Sequence, residues 1–330
     1  MALLELKDLH TFFRTKKGIV KAVNGVSYSV ETGRTLGVVG ESGSGKSVSA
    51  MSILQLLDGN GYIDSGEILF EGRDLTKLTE KEMYSVRGND ISVIFQEPMT
   101  SLNPVFTVSR QVSEPFIIHQ GMTKKQAAAK VIEMLGDVKI PNPHIVAKQY
   151  PHQLSGGMRQ RVMIAMALAC KPKLLIADEP TTALDVTIQA QILKLMNDLK
   201  EEHGTSIIFI THDLGVIRQI ADDVAVMYCG QVVEMAPAGT IFMDAEFSHP
   251  YTEGLMNSIP RLSTPTHTRL DAIPGAVPHP LKLPKGCKFA PRCKYATERC
   301  LNEEPEMIHV SETQQVRCFY PRKEDRHGKK

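Results

Sequence analysis

The sequence has no long hydrophobic run. Its longest apolar stretch, VMIAMALAC at residues 162–170, stops at Lys171 and Pro172, whereas a membrane-spanning helix needs roughly 18–20 apolar residues. The amino-terminal segment MALLELKDLH contains acidic residues and no continuous apolar core, which is not typical of a signal peptide. We therefore expect a chain that remains in the cytosol and has no membrane span of its own.

A strong net charge is also missing. The chain carries 38 Lys and Arg against 37 Asp and Glu, a formal net charge of +1, which gives no electrostatic reason to expect a nucleic-acid partner. With 330 residues, of which 42% are hydrophobic and 23% charged, the composition is that of a soluble globular protein with room for roughly two domains.

Short apolar segments alternate with helical patterns, which predicts a mainly parallel sheet flanked by helices. These segments are residues 35–40, 91–96, 173–178, 206–212 and 223–228. Three other segments alternate apolar and polar residues, as in a half-exposed antiparallel sheet, namely 3–8, 19–30 and 66–75. Prolines punctuate a predicted helical insertion at 97–153, and the chain beyond residue 240 is proline-rich and irregular.

The motif GESGSGKS at 40–47 follows a predicted buried strand and opens a predicted helix. This is the P-loop pattern, whose backbone N–H groups curl around a nucleotide phosphate. Lys46 is expected to reach the β- and γ-phosphates, and Ser47 to ligate Mg²⁺. The predicted nucleotide contacts in this loop are Gly40, Ser42, Gly43, Ser44, Gly45, Lys46 and Ser47.

Two further motifs indicate ATP hydrolysis. The apolar strand LLIADE at 174–179 ends in Asp178, expected to hold the Mg²⁺ shell, and Glu179, expected to polarise the attacking water. LSGGMRQR at 154–161 provides a second glycine-rich helix start. A nucleotide needs only one such start from its own chain, so we expect a head-to-tail dimer in which Ser155 and Gly157 contact the ATP of the partner.

Together with ALD at 183–185 and TH at 211–212, these motifs resemble the nucleotide-binding subunit of ABC transporters over residues 1–240. The resemblance implies a P-loop NTPase fold and an active, Mg²⁺-dependent ATPase. It implies that Gln96 joins the Mg²⁺ and water shell, that His212 contacts the γ-phosphate and that Asp185 lies at the dimer seam. It also implies an aromatic side chain stacked on adenine, for which Phe13 is favoured over Phe12.

Within that family, EPMTSLNP at 97–104 and SHPYTEGLMNSIPR at 248–261 resemble the ATPases of dipeptide, oligopeptide and nickel importers. This resemblance implies two membrane permeases as partners, docked on the helical insertion, and an extracytoplasmic binding protein that acts indirectly. It also implies a second ABC ATPase, either different or identical, and a peripheral position on the cytoplasmic face of the membrane. Nickel or another small solute is the alternative cargo.

Four cysteines lie close together in the region 241–330, with spacing C-x5-C-x6-C and then seventeen residues before the last. Clustered cysteines in a cytosolic chain favour metal or redox chemistry over disulfides. These spacings fit a [4Fe–4S] cluster better than a compact zinc knuckle, and the importer resemblance also implies a cluster. The expected ligands, which would staple this irregular region, are Cys287, Cys293, Cys300 and Cys318; zinc, or His309 in place of one thiolate, is the alternative.

Two other classes of function are considered. A soluble ABC-type ATPase acting on nucleic acid or ribosomes usually carries two cassettes or a coiled-coil insertion, and this sequence has one cassette and no heptad run. A nonhydrolytic regulatory module is disfavoured because Glu179 is present. The remaining cysteines, Cys170 and Cys229, are interpreted as small core residues.

Overall fold

The computed structural model describes residues 2–96, 101–182, 184–244, 247–258 and 272–323. The chain divides into two compact units. The first unit comprises Val30–Arg34 and Lys77–Ile210, and the second comprises Ala2–Ser29, Thr35–Thr76 and Thr211–Lys330.

The strands are β1 (Ala2–Thr15), β2 (Gly18–Glu31), β3 (Thr35–Val39), β4 (Gly61–Phe70), β5 (Arg73–Asp74), β6 (Ile91–Ile94), β7 (Leu174–Asp178), β8 (Ser206–Thr211), β9 (Asp223–Tyr228), β10 (Gln231–Pro237), β11 (Phe247–Ser248), β12 (Ile308–His309), β13 (Gln315–Val316) and β14 (Arg322–Lys323). The α-helices are α1 (Lys46–Ile53), α2 (Glu80–Val86), α3 (Val108–Gln120), α4 (Lys124–Asp137), α5 (Pro143–Val146), α6 (Gly156–Leu168), α7 (Val186–His203), α8 (Leu214–Ile220), α9 (Pro250–Asn257) and α10 (Glu298–Asn302).

In the first unit, β6, β7 and β8 pair in parallel, with Ile91 opposite Leu174 and Leu174 opposite Ser206. Every residue of β7 and β8 is buried. Continuous burial explains why these strands are apolar except at their end residues, Asp178, Ser206 and Thr211, rather than alternating, as is usual for parallel strands covered by helices. The predicted strands at 173–178 and 206–212 correspond to β7 and β8, and the observed ends differ from the predicted ones by at most one residue.

The predicted insertion is helical where the structure describes it. Helix α3 packs against α4 and α6 within the first unit. Local signals set the starts of these helices: Thr107 caps α3, and Thr123 forms a reciprocal capping box with Gln126 at the start of α4. Residues 97–100 of the EPMTSLNP segment and Ala183 of the ALD segment lie outside the described residues, as do 259–261.

In the second unit, β3 pairs in parallel with β9, and β9 pairs antiparallel with β10. A separate antiparallel sheet has the order β2-β1-β4-β5, in agreement with the predicted antiparallel subdomain. The predicted strand at 66–75 is interrupted, because Glu71 and Gly72 both adopt positive φ in a turn between β4 and β5.

The C-terminal region is more regular than its proline-rich sequence indicates. Strand β13 pairs antiparallel with β10, placing Val316 opposite Glu234, and β12 pairs with β13. Residues beyond 240 therefore extend the sheet of the second unit instead of forming only an irregular appendage. Among the described helices, none has the length and apolar character needed to cross a membrane.

Candidate functional site

The predicted phosphate loop connects the fully buried strand β3 to helix α1. Gly40, Gly43 and Gly45 have φ angles of +155°, +77° and +96°, which disfavour any residue with a side chain. A Cβ atom on Gly40 would lie 2.2 Å from the Met227 carbonyl oxygen, and one on Gly45 would lie 2.3 Å from the Ala22 carbonyl oxygen. The loop can follow this path only with glycine at both positions.

Lys46 begins α1 and is only 5% exposed. Its Nζ donates to the carbonyl oxygen of Gly40 at 2.7 Å and to that of Glu41 at 3.1 Å. The cationic group is therefore held inside the loop that precedes it. No side-chain cap bonds the start of α1, so the helix presents backbone N–H groups and an ammonium group at the same end, an arrangement suited to binding phosphate.

Glu41 attaches the phosphate loop to the C-terminal region. Both Arg292 Nη atoms donate to its carboxylate, at 2.5 and 3.0 Å, and the Arg292 side chain is 4% exposed. The Glu41 backbone N–H donates to the Tyr251 hydroxyl at 2.8 Å. The hydrogen bonds to Glu41 raise the pKa of Arg292 in spite of its burial, which acts in the opposite direction, so the guanidinium is charged under all ordinary conditions.

Aromatic side chains surround this attachment. The rings of Tyr228, Tyr251 and Phe289 contact one another with centroid separations of 4.7, 5.2 and 5.4 Å. Burial, with the positive charge of Arg317, lowers the pKa of the adjacent His249 to about 3. The neutral imidazole accepts the Tyr251 backbone N–H at Nδ1, 3.0 Å away, and so caps α9.

Phe13 and Phe12 face different surroundings. Phe12 is buried against Tyr62 and His10. Phe13 instead lines a pocket with Gly43 and Gly45 of the phosphate loop. Alternation along β1 thus sends only Phe13 toward the phosphate loop, as the stacking prediction requires, while the stacking role itself stays a prediction.

In the first unit, Gln96 and Glu179 are directly bonded. Gln96 Nε2 donates to Glu179 Oε2 at 3.1 Å, and Thr182 Oγ1 donates to the same oxygen at 2.9 Å. Glu179 has a φ of +46° immediately after β7, and Asp178 ends that strand with only 6% exposure. Two groups predicted to act on one water molecule therefore lie within hydrogen-bond distance of each other.

The predicted signature segment has the geometry of a capped helix start. Ser155 Oγ accepts the Met158 N–H at 3.3 Å at the beginning of α6. A Cβ on Gly157 would lie 3.0 Å from Ile188 Cγ2, and Asp185 caps α7 by accepting the Ile188 N–H at 2.9 Å. Ser155, Gly157 and Asp185 are thus brought to one region of the first unit, with Ser155 exposed.

His212 follows β8 and belongs to the second unit, where it is exposed. The next residue, Asp213, caps α8 by accepting the N–H groups of Gly215 and Val216. The sharp transition from strand to helix places His212 at a strand end, as expected from the TH motif.

The four C-terminal cysteines line one small pocket of about 20 Å³, together with apolar and aromatic residues. The Cys287 N–H donates to the Cys300 carbonyl oxygen at 2.9 Å. Gly286 permits this approach, since a Cβ there would lie 2.4 Å from the same oxygen. Burial, reinforced by the neighbouring thiols, raises the pKa of Cys287 and Cys293, and raises that of Cys318 to about 11.

Among the described residues, no group of three or more His, Cys, Asp or Glu side chains is arranged to hold a metal ion. The predicted metal staple is therefore not shown, and neither the zinc nor the iron–sulfur alternative is established. The described part of the C-terminal region is held to the rest of its unit by other means, namely strand β13, the aromatic contacts of Phe289 and the Arg292 ion pair.

Sequence reasoning missed Glu41, Tyr251 and Arg292. Glu41 occupies a variable position of the P-loop pattern, and no chemistry was assigned to Tyr251 within SHPYTEGL. The sequence gives only a weak local signal for these contacts. Arg292 stands in a segment otherwise typical of a loop, and Tyr251 stands in one otherwise typical of a helix start. The partners lie 210 and 251 positions apart, beyond the reach of periodicity.

A glycine-dependent phosphate loop with a buried lysine, and a strand-end carboxylate bonded to a glutamine, define a nucleotide-hydrolysing P-loop protein. The model of the ABC transporter family matches residues 23–182. The model of the oligopeptide/dipeptide transporter C-terminal region matches residues 233–300.

Similar proteins agree over nearly the whole chain. The oligopeptide transport ATP-binding protein AppD of Bacillus subtilis (strain 168) is 52% identical over 96% of this chain and 96% of its own length. The oligopeptide transport ATP-binding protein OppD of Salmonella typhimurium (strain LT2) is 50% identical over 97% of this chain and 94% of its own length. The ATP-binding cassette MJ0796, solved as a dimer in a post-hydrolysis state with ADP and Pi, matches with a TM-score of 0.64 and 29% identity over 71% of this chain and 98% of its own.

The chain therefore belongs to the ATP-binding subunits of ABC transporters, within the oligopeptide/dipeptide group. The predicted P-loop NTPase fold and the ABC ATPase class are confirmed. The roles predicted for individual residues and the division at residue 240 stay predictions.

Proposed function

We propose that this chain drives the uptake of dipeptides or oligopeptides by binding and hydrolysing ATP at the cytoplasmic face of a membrane. The observation that carries the proposal is one chain containing both the preformed phosphate loop around Lys46 and a C-terminal region of the oligopeptide/dipeptide type. Relatives at about half identity bear the name oligopeptide transport ATP-binding protein, which supports peptides over nickel as the cargo.

The residues divide the chemistry between them. Lys46 and the loop N–H groups neutralise the phosphates, while Ser47 and Asp178 would hold Mg²⁺, whose charge would assist transfer of the γ-phosphoryl group from ATP to water. Glu179 accepts a proton from the attacking water, and its bond to Gln96 orients the carboxylate. His212 contacts the γ-phosphate, and Phe13 stacks on adenine.

Hydrolysis takes place in a head-to-tail dimer. Ser155 and Gly157 at the start of α6 contact the ATP bound by the partner, and Asp185 lies at the seam. The exposure of Ser155 and the dimeric form of MJ0796 support this arrangement. The partner is a second ABC ATPase, whether a different chain or a second copy, and closure of the dimer around ATP is the conformational switch.

The ATPase acts on two membrane permeases, which dock on the helical segment between residues 97 and 153. An extracytoplasmic binding protein delivers the peptide to the permeases and does not touch this chain. Helices α3 and α4 of this segment belong to the first unit, whereas the phosphate loop belongs to the second.

The direct test is uptake of labelled dipeptide into proteoliposomes that contain the permeases, this ATPase and its partner ATPase, with the binding protein supplied on the opposite face of the membrane. Wild-type protein with ATP on the ATPase side is expected to accumulate dipeptide, whereas Lys46→Ala should reduce uptake to the level seen without ATP. Unlabelled dipeptide should compete and nickel should not. ATP-dependent uptake of nickel, with none of dipeptide, would contradict the assigned cargo.

The four clustered cysteines bind a [4Fe–4S] cluster in this proposal. All four thiols line one pocket with apolar walls, and four thiolates are the usual ligand set of such clusters. Because burial raises the pKa of the Cys287, Cys293 and Cys318 thiols, the positive charge of the cluster iron would be needed to keep these three as thiolates. When bound, the cluster crosslinks Cys287, Cys293, Cys300 and Cys318 and stabilises the loops between them.

Anaerobically purified wild-type protein is expected to contain iron and sulfide and to absorb visible light. A variant with serine at all four positions should lose these properties, while Cys170→Ser, which alters a half-buried thiol of the first unit, should keep them. Wild-type protein that is colourless and free of iron would exclude the cluster, and zinc analysis of the same sample would then decide the alternative.

A further inference from the structure

A pocket of about 270 Å³ in the second unit lies between the phosphate loop and the C-terminal region. Phe13, Gly43 and Gly45 line it from the amino-terminal part of the chain, and Pro278, Pro280 and Leu283 line it from the C-terminal part. The latter three residues belong to a segment, residues 278–283, that we call the proline strap. No residue of the strap is part of the P-loop pattern.

The strap is held in place rather than hanging free. A Cβ on Gly18, at the start of β2, would lie 3.6 Å from Leu281 Cδ2, which shows that the strap packs on that strand. Within the strap, the Lys282 N–H donates to the His279 carbonyl oxygen at 2.7 Å, forming a turn. Proline restricts the backbone φ at two positions, so little further entropy is lost when a ligand contacts the strap.

The chain on both sides of the strap is also anchored. Before it, the Pro274 carbonyl oxygen accepts the Arg292 Nε–H at 3.0 Å. After it, Arg292 itself forms the buried ion pair with Glu41 of the phosphate loop. Arg292 thus bonds both to Pro274, which precedes the strap, and to Glu41 of the phosphate loop. This shared partner holds the strap and the loop together on the same pocket.

The chemistry of the two walls suits a flat aromatic base. Phe13 offers an aromatic ring for stacking, and the strap lines the same pocket with two pyrrolidine rings and a leucine side chain. Gly43 and Gly45 place the phosphate-binding backbone at the same pocket. A ligand that fills it therefore has a phosphorylated end at the loop and an apolar, planar end between Phe13 and the strap.

We propose that Pro278, Pro280 and Leu283 form the second wall of the adenine subsite, so that the C-terminal region contributes directly to nucleotide binding. This inference rests on the nucleotide site proposed above and deepens it. The strap determines affinity for the base, whereas Lys46 and the loop determine affinity for the phosphates.

The test compares Leu283→Ser with the matched variant Lys282→Ser, whose side chain is exposed and does not line the pocket. Full-length proteins are titrated calorimetrically with MgATP and with magnesium tripolyphosphate, which has no base. Leu283→Ser is expected to raise the Kd for ATP about fivefold, from lost apolar contact, and to leave tripolyphosphate binding unchanged. Lys282→Ser should change neither.

Pro280→Ser provides a second variant at an exposed position, in case Leu283→Ser folds poorly, and should weaken ATP binding about twofold, as a smaller loss of apolar contact. Equal ATP affinity in the Leu283, Pro280 and Lys282 variants would overturn the inference and leave the proposed function intact. Parallel loss of ATP and tripolyphosphate would also overturn it, because the strap would then act through the loop. Failure of the wild-type chain to bind MgATP would instead overturn the proposed function.

Discussion

Replacing Glu179 by glutamine is expected to lower kcat for ATP hydrolysis by at least about 100-fold, the usual contribution of a general base. The amide has the shape of the carboxylate but cannot accept a proton from water. The Thr182 hydroxyl and the Gln96 amide, which lie 2.9 and 3.1 Å from Glu179 Oε2, can still donate to the amide oxygen. Substrate geometry should therefore persist while proton transfer is lost.

The measurement is phosphate release at saturating MgATP, together with gel filtration of the protein in ATP. Glu179→Gln should elute as an ATP-bound dimer, since closure occurs and hydrolysis does not reopen it. Glu201→Gln is the matched control, because Glu201 is an exposed glutamate on α7, and its kcat should equal that of wild type. Unchanged turnover in Glu179→Gln would show that another group is the base.

The parts of the site that the sequence predicted are those encoded by local pattern. The phosphate loop is determined within eight consecutive residues, because Gly40 and Gly45 are the only residue type that avoids the carbonyl oxygens of Met227 and Ala22. Strand β7 is likewise identifiable from its apolar run, and its end places Asp178 and Glu179. The bond between Gln96 and Glu179 spans 83 positions, yet it follows from two parallel neighbouring strands that end at the same edge.

The C-terminal region could not be predicted in this way. Strand β13 is two residues long, too short to show alternation, and its pairing with β10 depends on tertiary contact. The four cysteines indicate a set of possible metal ligands but not the positions of these ligands in space, because spacing along the chain does not determine which loops meet. In the sequence, Arg292 is one of several basic residues near the cysteines. Only folding brings its side chain to Glu41.

The helix after the phosphate loop illustrates a smaller failure with a physical reason. The segment KSVSAMSILQLL at 46–57 has the apolar spacing of a helix, but α1 ends at Ile53 and Gln55 has a φ of +52°. The Gln55 side chain donates to the Leu75 carbonyl oxygen, a contact 20 residues away that favours the turn. Tertiary bonding overrides helical propensity at this end.

Removing the Arg292 side chain is expected to lower the free energy of unfolding by about 3 kcal/mol, because two hydrogen bonds between charged groups are lost from a buried guanidinium. Arg292→Ala deletes both bonds to Glu41 and the bond to Pro274. The loss should appear as a lower urea midpoint of the full-length protein. It should also expose Tyr228 and Phe289, whose rings lie 5.9 and 6.0 Å from the guanidinium carbon. The exposure of Tyr228 should be measurable as a change in tyrosine fluorescence.

Arg299→Ala is the matched control for this prediction. Arg299 also pairs with a glutamate in the C-terminal region, at 2.9 Å from Glu303, but its side chain is 53% exposed. Exposed pairs contribute little to stability because solvent screens them, so the urea midpoint of this variant should stay close to that of wild type. If both arginine variants unfolded at the same urea concentration, the contact between Arg292 and Glu41 would have no special role in joining the C-terminal region to the phosphate loop.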